Sequence, residues 1–144
     1  MKFNKSLRVY GDLNYREKKC PRESAEQITF FNWLRREHPD VAGVAAHQRN
    51  EGIRTHSQTA KQRAEGMKKG ASDIIIPASP AFVCELKRAD HTLSTWQDGQ
   101  QEYLLSAAAL GAFSCVALGH LAAIDALEEW RTLLVTNKSY RALQ

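Results

Sequence analysis

Three charged residues near the middle of the chain, Asp73, Glu85 and Lys87, have types and a spacing that could hold a divalent cation beside a phosphate. Asp73 comes directly before the apolar run 74–76, and Glu85 and Lys87 end a second run that begins at residue 81. Because side chains alternate between the two faces of a strand, Glu85 and Lys87 are expected on one face. Two carboxylates could bind the cation, and the lysine could hold an anion or a water molecule.

Other interpretations of these three residues stay open at the level of pattern. A Glu-x-Lys pair is common on solvated strand faces, and Asp73 could be a turn residue. Charges at the end of an apolar strand also protect a sheet edge from pairing with another chain. The surrounding elements therefore have to decide between a site and a surface.

The first predicted helix, residues 23–37, carries an acid on its apolar face. At about 100° per residue, Glu23 falls at the centre of the apolar stripe and Glu26 toward its edge. The stripe consists of Phe30, Phe31, Trp33 and Leu34. A carboxylate on a buried face is costly unless it is paired or metal-bound. Alternatively, Glu23 lies in the first turn because an acid there interacts favourably with the helix dipole.

A second helix, predicted over residues 95–110, presents a glutamine in the same way. Gln100 is centred on its inner stripe, whereas Gln97 lies nearer the edge. An inward amide could orient a water molecule or a phosphate next to a metal ion. It could equally hydrogen-bond the end of the sheet.

The composition is that of a basic protein with one domain. The chain has 144 residues and a net charge of +4, which permits a polyanionic partner without requiring one. Basic residues concentrate in residues 49–69, where two acids, Glu51 and Glu65, accompany Arg49, Arg54, Lys61, Arg63, Lys68 and Lys69. This segment is either a solvated surface or a track for a phosphate backbone.

Cysteine and histidine usage argues against disulfide and zinc frameworks. The three cysteines include no Cys-x-x-Cys pair, which fits a reducing cytoplasm. The five histidines lack zinc-ligand spacing. No signal peptide or membrane span is predicted from the sequence.

The predicted fold class is α/β, a small mixed sheet flanked by helices on both sides. Residues 1–21 are predicted to be a basic N-terminal arm, ordered only if it packs on something; residues 22–135 form the domain and 136–144 a loose tail. Besides the helices 23–37 and 95–110, helices are predicted at 58–68 and 121–134, and strands at 41–46, 72–77, 81–87 and 112–118. The helix between the last two strands favours a parallel crossover.

The motifs in these elements resemble the VRR-NUC branch of the PD-(D/E)XK nucleases. The resemblance covers residues 22–134 and is carried by residues 70–77, 82–88, 93–94, 100–104 and Gly111. Residues 23–33 look like the opening helix of the stand-alone, phage-type members, and residues 50–54 like their Asn-Gly-x-Arg-type loop. Two departures occur: Ser72 replaces the usual proline, and a short insertion over 96–98 moves the motif glutamine from Gln97 to Gln100, which also has the better helical phase.

This resemblance implies a restriction-endonuclease-like core that hydrolyses DNA with Mg²⁺ or Mn²⁺. The metal ligands would be Asp73, Glu85, the carbonyl of Leu86 and Glu23, with Glu26 as the alternative to Glu23. Lys87 and Gln100 would orient the attacking water or stabilise the phosphate. The residues implied to hold DNA are Arg49, Asn50, Arg54, Lys68, Lys69 and Arg88.

The resulting hypothesis is a metal-dependent endonuclease, with selectivity for junctions, flaps or nicks as its more specific form. A homodimer would let a small domain with one site cut both strands. The alternative is a catalytically silent DNA-binding module that uses the basic segment. A third hypothesis is a small α/β domain in which the charged residues form a structural salt-bridge cluster.

Overall fold

The computed structural model describes residues 1–48 and 55–142, with side chains described up to residue 136. The strands are β1 Val9–Tyr10, β2 Ala46–His47, β3 Ile74–Ile76, β4 Phe82–Lys87 and β5 Phe113–Leu118. The helices are α1 Glu23–Glu37, α2 Pro39–Ala42, α3 His56–Ala64, α4 Gln100–Ala109 and α5 His120–Ala142, with a 3₁₀ turn at His91–Leu93. Within the described part of the chain, no helix is both long and apolar enough to cross a membrane.

The five strands form one mixed sheet in the order β1-β5-β4-β3-β2. β3 pairs antiparallel with β4, and β4 pairs parallel with β5 through the α4 crossover. The predicted parallel crossover and the α/β class are therefore confirmed. β4 is buried along its whole length, because a central strand covered on both faces is shielded from water throughout.

The alternation of β4 divides the core into two layers. Phe82, Cys84 and Leu86 join the larger layer, which includes side chains from α1 and α5. Val83 joins the smaller layer with Leu104 of α4. Glu85 and Lys87 follow Val83 with the same parity, so this alternation directs both charged side chains to the α4 face.

The N-terminal segment packs on the domain. β1 pairs parallel with β5 and forms one edge of the sheet. Phe3, Leu7 and Val9 pack against the smaller core layer, and Cys20 is buried at the other end of the segment. Residues 1–21, predicted to be ordered only if they pack, thus complete the sheet and cover its α4 face.

Several element boundaries differ from the sequence prediction. α4 begins at Gln100 and not at residue 95, because Gly99 has φ +88° and residues 91–93 form a separate 3₁₀ turn. α5 continues to Ala142, through most of the predicted tail. The first two residues of the predicted strand 41–46 belong to the short helix α2, which has Pro39 at its first position.

A close backbone contact joins the segment after α3 to the start of α4. Gly70 has φ +78°, and a β-carbon added there would lie 2.4 Å from the Gly99 carbonyl carbon. Gly70 therefore permits this approach, and it does not cap α3, which already ends at Ala64.

Gly70→Ala is expected to destabilise the protein by about 2–4 kcal/mol, through left-handed backbone strain and the clash with Gly99. Gly66→Ala is the matched control, because Gly66 also has positive φ but nothing within 4 Å of an added β-carbon. It should lower the free energy of unfolding by only about 1–2 kcal/mol. Urea unfolding measures both; equal losses would contradict the proposed contact.

Candidate active site

The two predicted metal-binding acids face each other across neighbouring strands. Ile74 of β3 pairs with Cys84 of β4, so continuing the antiparallel register by one residue brings Asp73 opposite Glu85. The backbone N–H of Leu86 donates to Asp73 Oδ2 at 3.0 Å and fixes that carboxylate. Two like charges directly opposite each other are destabilising unless something compensates them.

The pKa values of both carboxyl groups are raised. Burial and then the neighbouring Asp73 carboxylate raise the pKa of Glu85 to about 8, against the opposing effect of Lys87. Burial also raises the pKa of Asp73, to which the Glu23 charge contributes. Only 1% of Glu85 is exposed, and its Oε2 has no hydrogen-bond partner among the described residues. A buried carboxylate oxygen of this kind, beside a second carboxylate, fits a hard divalent cation.

Lys87 is held on several sides by groups of the site. Its side chain is 1% exposed, and Nζ lies 3.2 Å from Glu85 Oε1. Nζ also donates to the Thr95 carbonyl at 3.0 Å and to Gln100 Oε1 at 2.9 Å. The ammonium lies 4.8 Å from the centre of the Trp96 ring. The lysine therefore compensates the Glu85 charge inside the protein.

Gln100 joins the acid to the lysine. Its Nε2 donates to Glu85 Oε1 at 2.7 Å, while its Oε1 accepts from Lys87 and from the backbone N–H of Gln97 at 2.8 Å. Gln97 thus meets the cluster through its backbone, and its side chain is exposed. The geometry favours Gln100 over Gln97 as the glutamine of the site.

Glu26, and not Glu23, is the more buried of the two α1 acids, which is the reverse of what the helical pattern predicts. Glu26 is 3% exposed and lies in the buried row of α1. Its Oε2 accepts from the backbone N–H of His120 and lies 2.6 Å from His120 Nδ1, where it stabilises the start of α5. Glu23 is half-buried and accepts from Ser94 Oγ at 2.6 Å. Glu23 is therefore the α1 acid beside the candidate site.

The predicted DNA-contacting residues differ in the partners that their side chains bind. Lys68 and Lys69 are exposed, and Lys69 pairs with Asp98 at 2.8 Å. Arg88 instead donates to the carbonyls of Cys20 at 2.6 Å and Pro21 at 3.2 Å, so it fastens the N-terminal segment. Arg49, Asn50 and Arg54 lie outside the described residues.

The donor set for a cation is a pair of carboxylates. Among residues 1–48 and 55–142, there is no group of three or more His, Cys, Asp or Glu side chains that could hold a metal ion. Asp73 and Glu85 could hold a metal only as a pair of carboxylates, and this role stays a prediction, as do the contributions of the Leu86 carbonyl and of Glu23.

Sequence reasoning missed His47, which lies next to Asp73. His47 Nδ1 is 2.9 Å from the Asp73 carbonyl oxygen, because β2 pairs with β3 with His47 opposite Ile74. Trp96 and Thr95 were missed as well, although both contact Lys87. The aromatic residue inside the short insertion 96–98 was the signal available in the sequence.

Ser72→Ala is expected to raise the free energy of unfolding by about 1 kcal/mol, because it removes a buried hydroxyl that has no partner. Ser72 is completely buried, and its Oγ makes no hydrogen bond among the described residues. Ser94→Ala is the matched control and should destabilise by about 1–2 kcal/mol, because Ser94 Oγ contacts Glu23 and the Arg88 backbone. A clear loss of stability in Ser72→Ala, measured in urea, would refute this assignment.

Comparison with known proteins identifies the fold. No protein-family model matches the sequence, and no curated protein matches it. Among solved structures, the chain is similar to one titled "VRR_NUC domain protein", with 21% identity and a TM-score of 0.63. The match covers 80% of this chain and 92% of that one. The resemblance predicted from the motifs is therefore confirmed as a likeness of fold: the chain shares the fold of a solved VRR_NUC domain protein.

Proposed function

We propose that this protein is a VRR-NUC nuclease of the PD-(D/E)XK superfamily that hydrolyses DNA phosphodiester bonds with the help of a divalent cation. The observation that carries the proposal is the pair Asp73 and Glu85, opposed across β3 and β4, with one Glu85 oxygen that has no partner among the described residues. Lys87 and Gln100 complete the cluster. The shared fold with a VRR_NUC domain protein supports the same conclusion.

The residues divide the work according to their positions. Asp73 and Glu85, with the Leu86 carbonyl and Glu23, would hold Mg²⁺ or Mn²⁺. When bound, the cation lowers the pKa of its water and polarises the phosphate. Lys87 and Gln100 both contact Glu85 Oε1. Oε2, which has no partner among the described residues, is the oxygen that would bind the cation. For Lys87 to touch a water or a phosphate, one of its present contacts must be exchanged.

The DNA would be held by the basic surface that adjoins Asp73. α3 has no buried residue and carries Lys61 and Arg63, and the chain continues through exposed Lys68 and Lys69 into β3. Arg49, Asn50 and Arg54 remain proposed contacts on the basis of sequence. Arg88 stays in this proposed set, although two of its five guanidinium N–H donors already bind backbone carbonyls. Phosphate contacts of this kind should weaken steeply with salt.

A DNA-binding module without catalysis is the second candidate, and the exposed basic residues alone would suit it. The buried acids disfavour it. Burying two interacting carboxylates is costly, and a module that only binds phosphate gains nothing from negative charge beside its basic surface. A silent module should therefore show no uptake of Mn²⁺ at Asp73 and Glu85.

A cleavage panel tests the proposal. Purified protein is incubated with linear, nicked, flap and four-way DNA in Mg²⁺, in Mn²⁺ and in chelator. Cleavage in either metal that stops in chelator is the expected result, and a preference among substrates tests selectivity for branched DNA. Binding without cleavage of any substrate would favour the silent module. Sedimentation of the same sample tests whether the protein is a homodimer. The proposed function also places the protein in the cytoplasm.

A further inference from the structure

We propose that Trp96 is a positioning residue that holds Lys87 against Glu85 and Gln100. This inference deepens the proposed function and rests on it for its kinetic consequences. Its structural basis is independent: the indole ring forms one wall of the space that contains the lysine ammonium. Trp96 is half-buried and lies in the segment 94–99, between the 3₁₀ turn and α4.

The ammonium contacts three oxygen atoms and one aromatic face. The oxygens are Glu85 Oε1, the Thr95 carbonyl and Gln100 Oε1, at 3.2, 3.0 and 2.9 Å. A lysine ammonium has three N–H donors, so these contacts use its whole hydrogen-bonding capacity. The Trp96 ring, 4.8 Å away, adds a cation–π contact, which is stronger at a desolvated site than at an exposed one.

The surroundings of the ring fix its orientation. Phe3 packs edge-on against Trp96, with ring centres 5.6 Å apart, and makes the same kind of contact with His91. The N-terminal segment is thereby connected to Lys87 through two aromatic rings. At the other side, the Gln97 backbone N–H holds Gln100 Oε1. The segment 94–99 therefore orients both partners of Glu85.

A flexible lysine side chain needs such walls to keep one geometry. Without the ring, the Lys87 stem could occupy other rotamers, and Glu85 would lose the cation that offsets its charge. A misplacement of about 1 Å at a reacting group costs up to roughly a hundredfold in rate. The aromatic face is the feature that matters, so phenylalanine should substitute for tryptophan, whereas leucine should not.

The first test reads Lys87 directly and requires no enzymatic activity. In protein labelled with ¹⁵N-lysine, the caged Lys87 ammonium should give a slowly exchanging signal, assigned by its absence in Lys87→Arg. Trp96→Phe should retain this signal and Trp96→Leu should lose it, with an unchanged backbone amide spectrum as the check on folding. A signal that persists in Trp96→Leu would overturn the proposal.

The second test is kinetic. Trp96→Leu should lower kcat for DNA cleavage by about tenfold or more, with KM nearly unchanged, and Trp96→Phe should restore most of the rate. Trp33→Leu, the same substitution at a half-buried tryptophan of α1 packed against Phe30 and His38, should leave kcat unchanged. Equal losses in Trp33→Leu and Trp96→Leu would reduce Trp96 to a packing residue and contradict the proposal.

The two tests also separate this inference from the proposed function. If the wild-type protein cuts no DNA while the lysine signal behaves as expected, the nuclease proposal fails and the lysine cage stands. If the wild-type protein cuts DNA but Trp96→Leu is as active as the parent, the positioning role fails and the nuclease proposal stands.

Discussion

Glu85→Gln is expected to reduce DNA cleavage by roughly a thousandfold while leaving the protein folded. The amide oxygen can still accept from Gln100, and the NH₂ group takes the place of the oxygen that has no partner among the described residues. The substitution therefore removes the negative charge that would bind a cation, together with the ion pair to Lys87. Asp73→Asn should have a comparable effect, because Asp73 is the opposite carboxylate. Gel-based cleavage assays in Mn²⁺ measure both losses.

Glu102→Gln is the matched control for this pair of variants. Glu102 is an exposed acid in the first turn of α4, so the same change there should leave the cleavage rate within about twofold, as is usual for surface substitutions. Glu85→Gln and Asp73→Asn proteins that cut DNA at the parental rate would remove both acids from the mechanism.

The free energy of unfolding of the metal-free protein is expected to fall as the pH rises, because of Glu85. The pKa of Glu85 is raised from 4.5 to about 8, chiefly by burial and by Asp73, so the folded protein holds this proton more tightly than the unfolded chain. The stabilisation from the protonated form is fully present below pH 4.5 and is lost as the pH rises through 8. Since each tenfold change in proton affinity is worth about 1.4 kcal/mol, the loss should be on the order of a few kcal/mol. The raised pKa of Asp73 acts in the same direction.

Urea unfolding of metal-free protein between pH 5 and pH 8.5, compared with Glu85→Gln, measures this effect. The difference between the two proteins should shift in favour of the variant as the pH rises, because glutamine does not titrate. Saturating Mn²⁺ should restore stability to the parent at high pH and have little effect on the variant. A difference that does not change with pH would contradict the assigned environment of Glu85.

The central part of the sheet could be predicted from the sequence because its signals are local. Apolar runs bounded by prolines define the β3–β4 hairpin, and the helical pattern before β5 requires a parallel crossover. Strand alternation alone directs Glu85 and Lys87 to one face. The phase of Gln100 was also correct, although its helix begins five residues later than predicted.

What sequence reasoning missed depends on tertiary partners. Glu26 can be buried because His120, 94 positions away, meets it at the start of α5; the helical pattern of α1 alone gives no sign of this. The sequence around Arg88 likewise gives no sign that its guanidinium binds the carbonyls of Cys20 and Pro21. The two-residue strand β1 forms because β5 offers it an edge, and it has no recognisable local pattern. β2 shares only Ala46 with the predicted strand 41–46, so the contact of His47 with Asp73 was missed.

Calorimetric titration of the metal-free protein with Mn²⁺ tests directly whether Asp73 and Glu85 form a divalent-cation site. The parent and Glu102→Gln are expected to bind Mn²⁺ more tightly as the pH rises, because the raised pKa of Glu85 makes the cation compete with a proton for that carboxylate. Glu85→Gln and Asp73→Asn should show no comparable uptake. Equal Mn²⁺ binding by all four proteins would contradict the claim that Asp73 and Glu85 form a divalent-cation site.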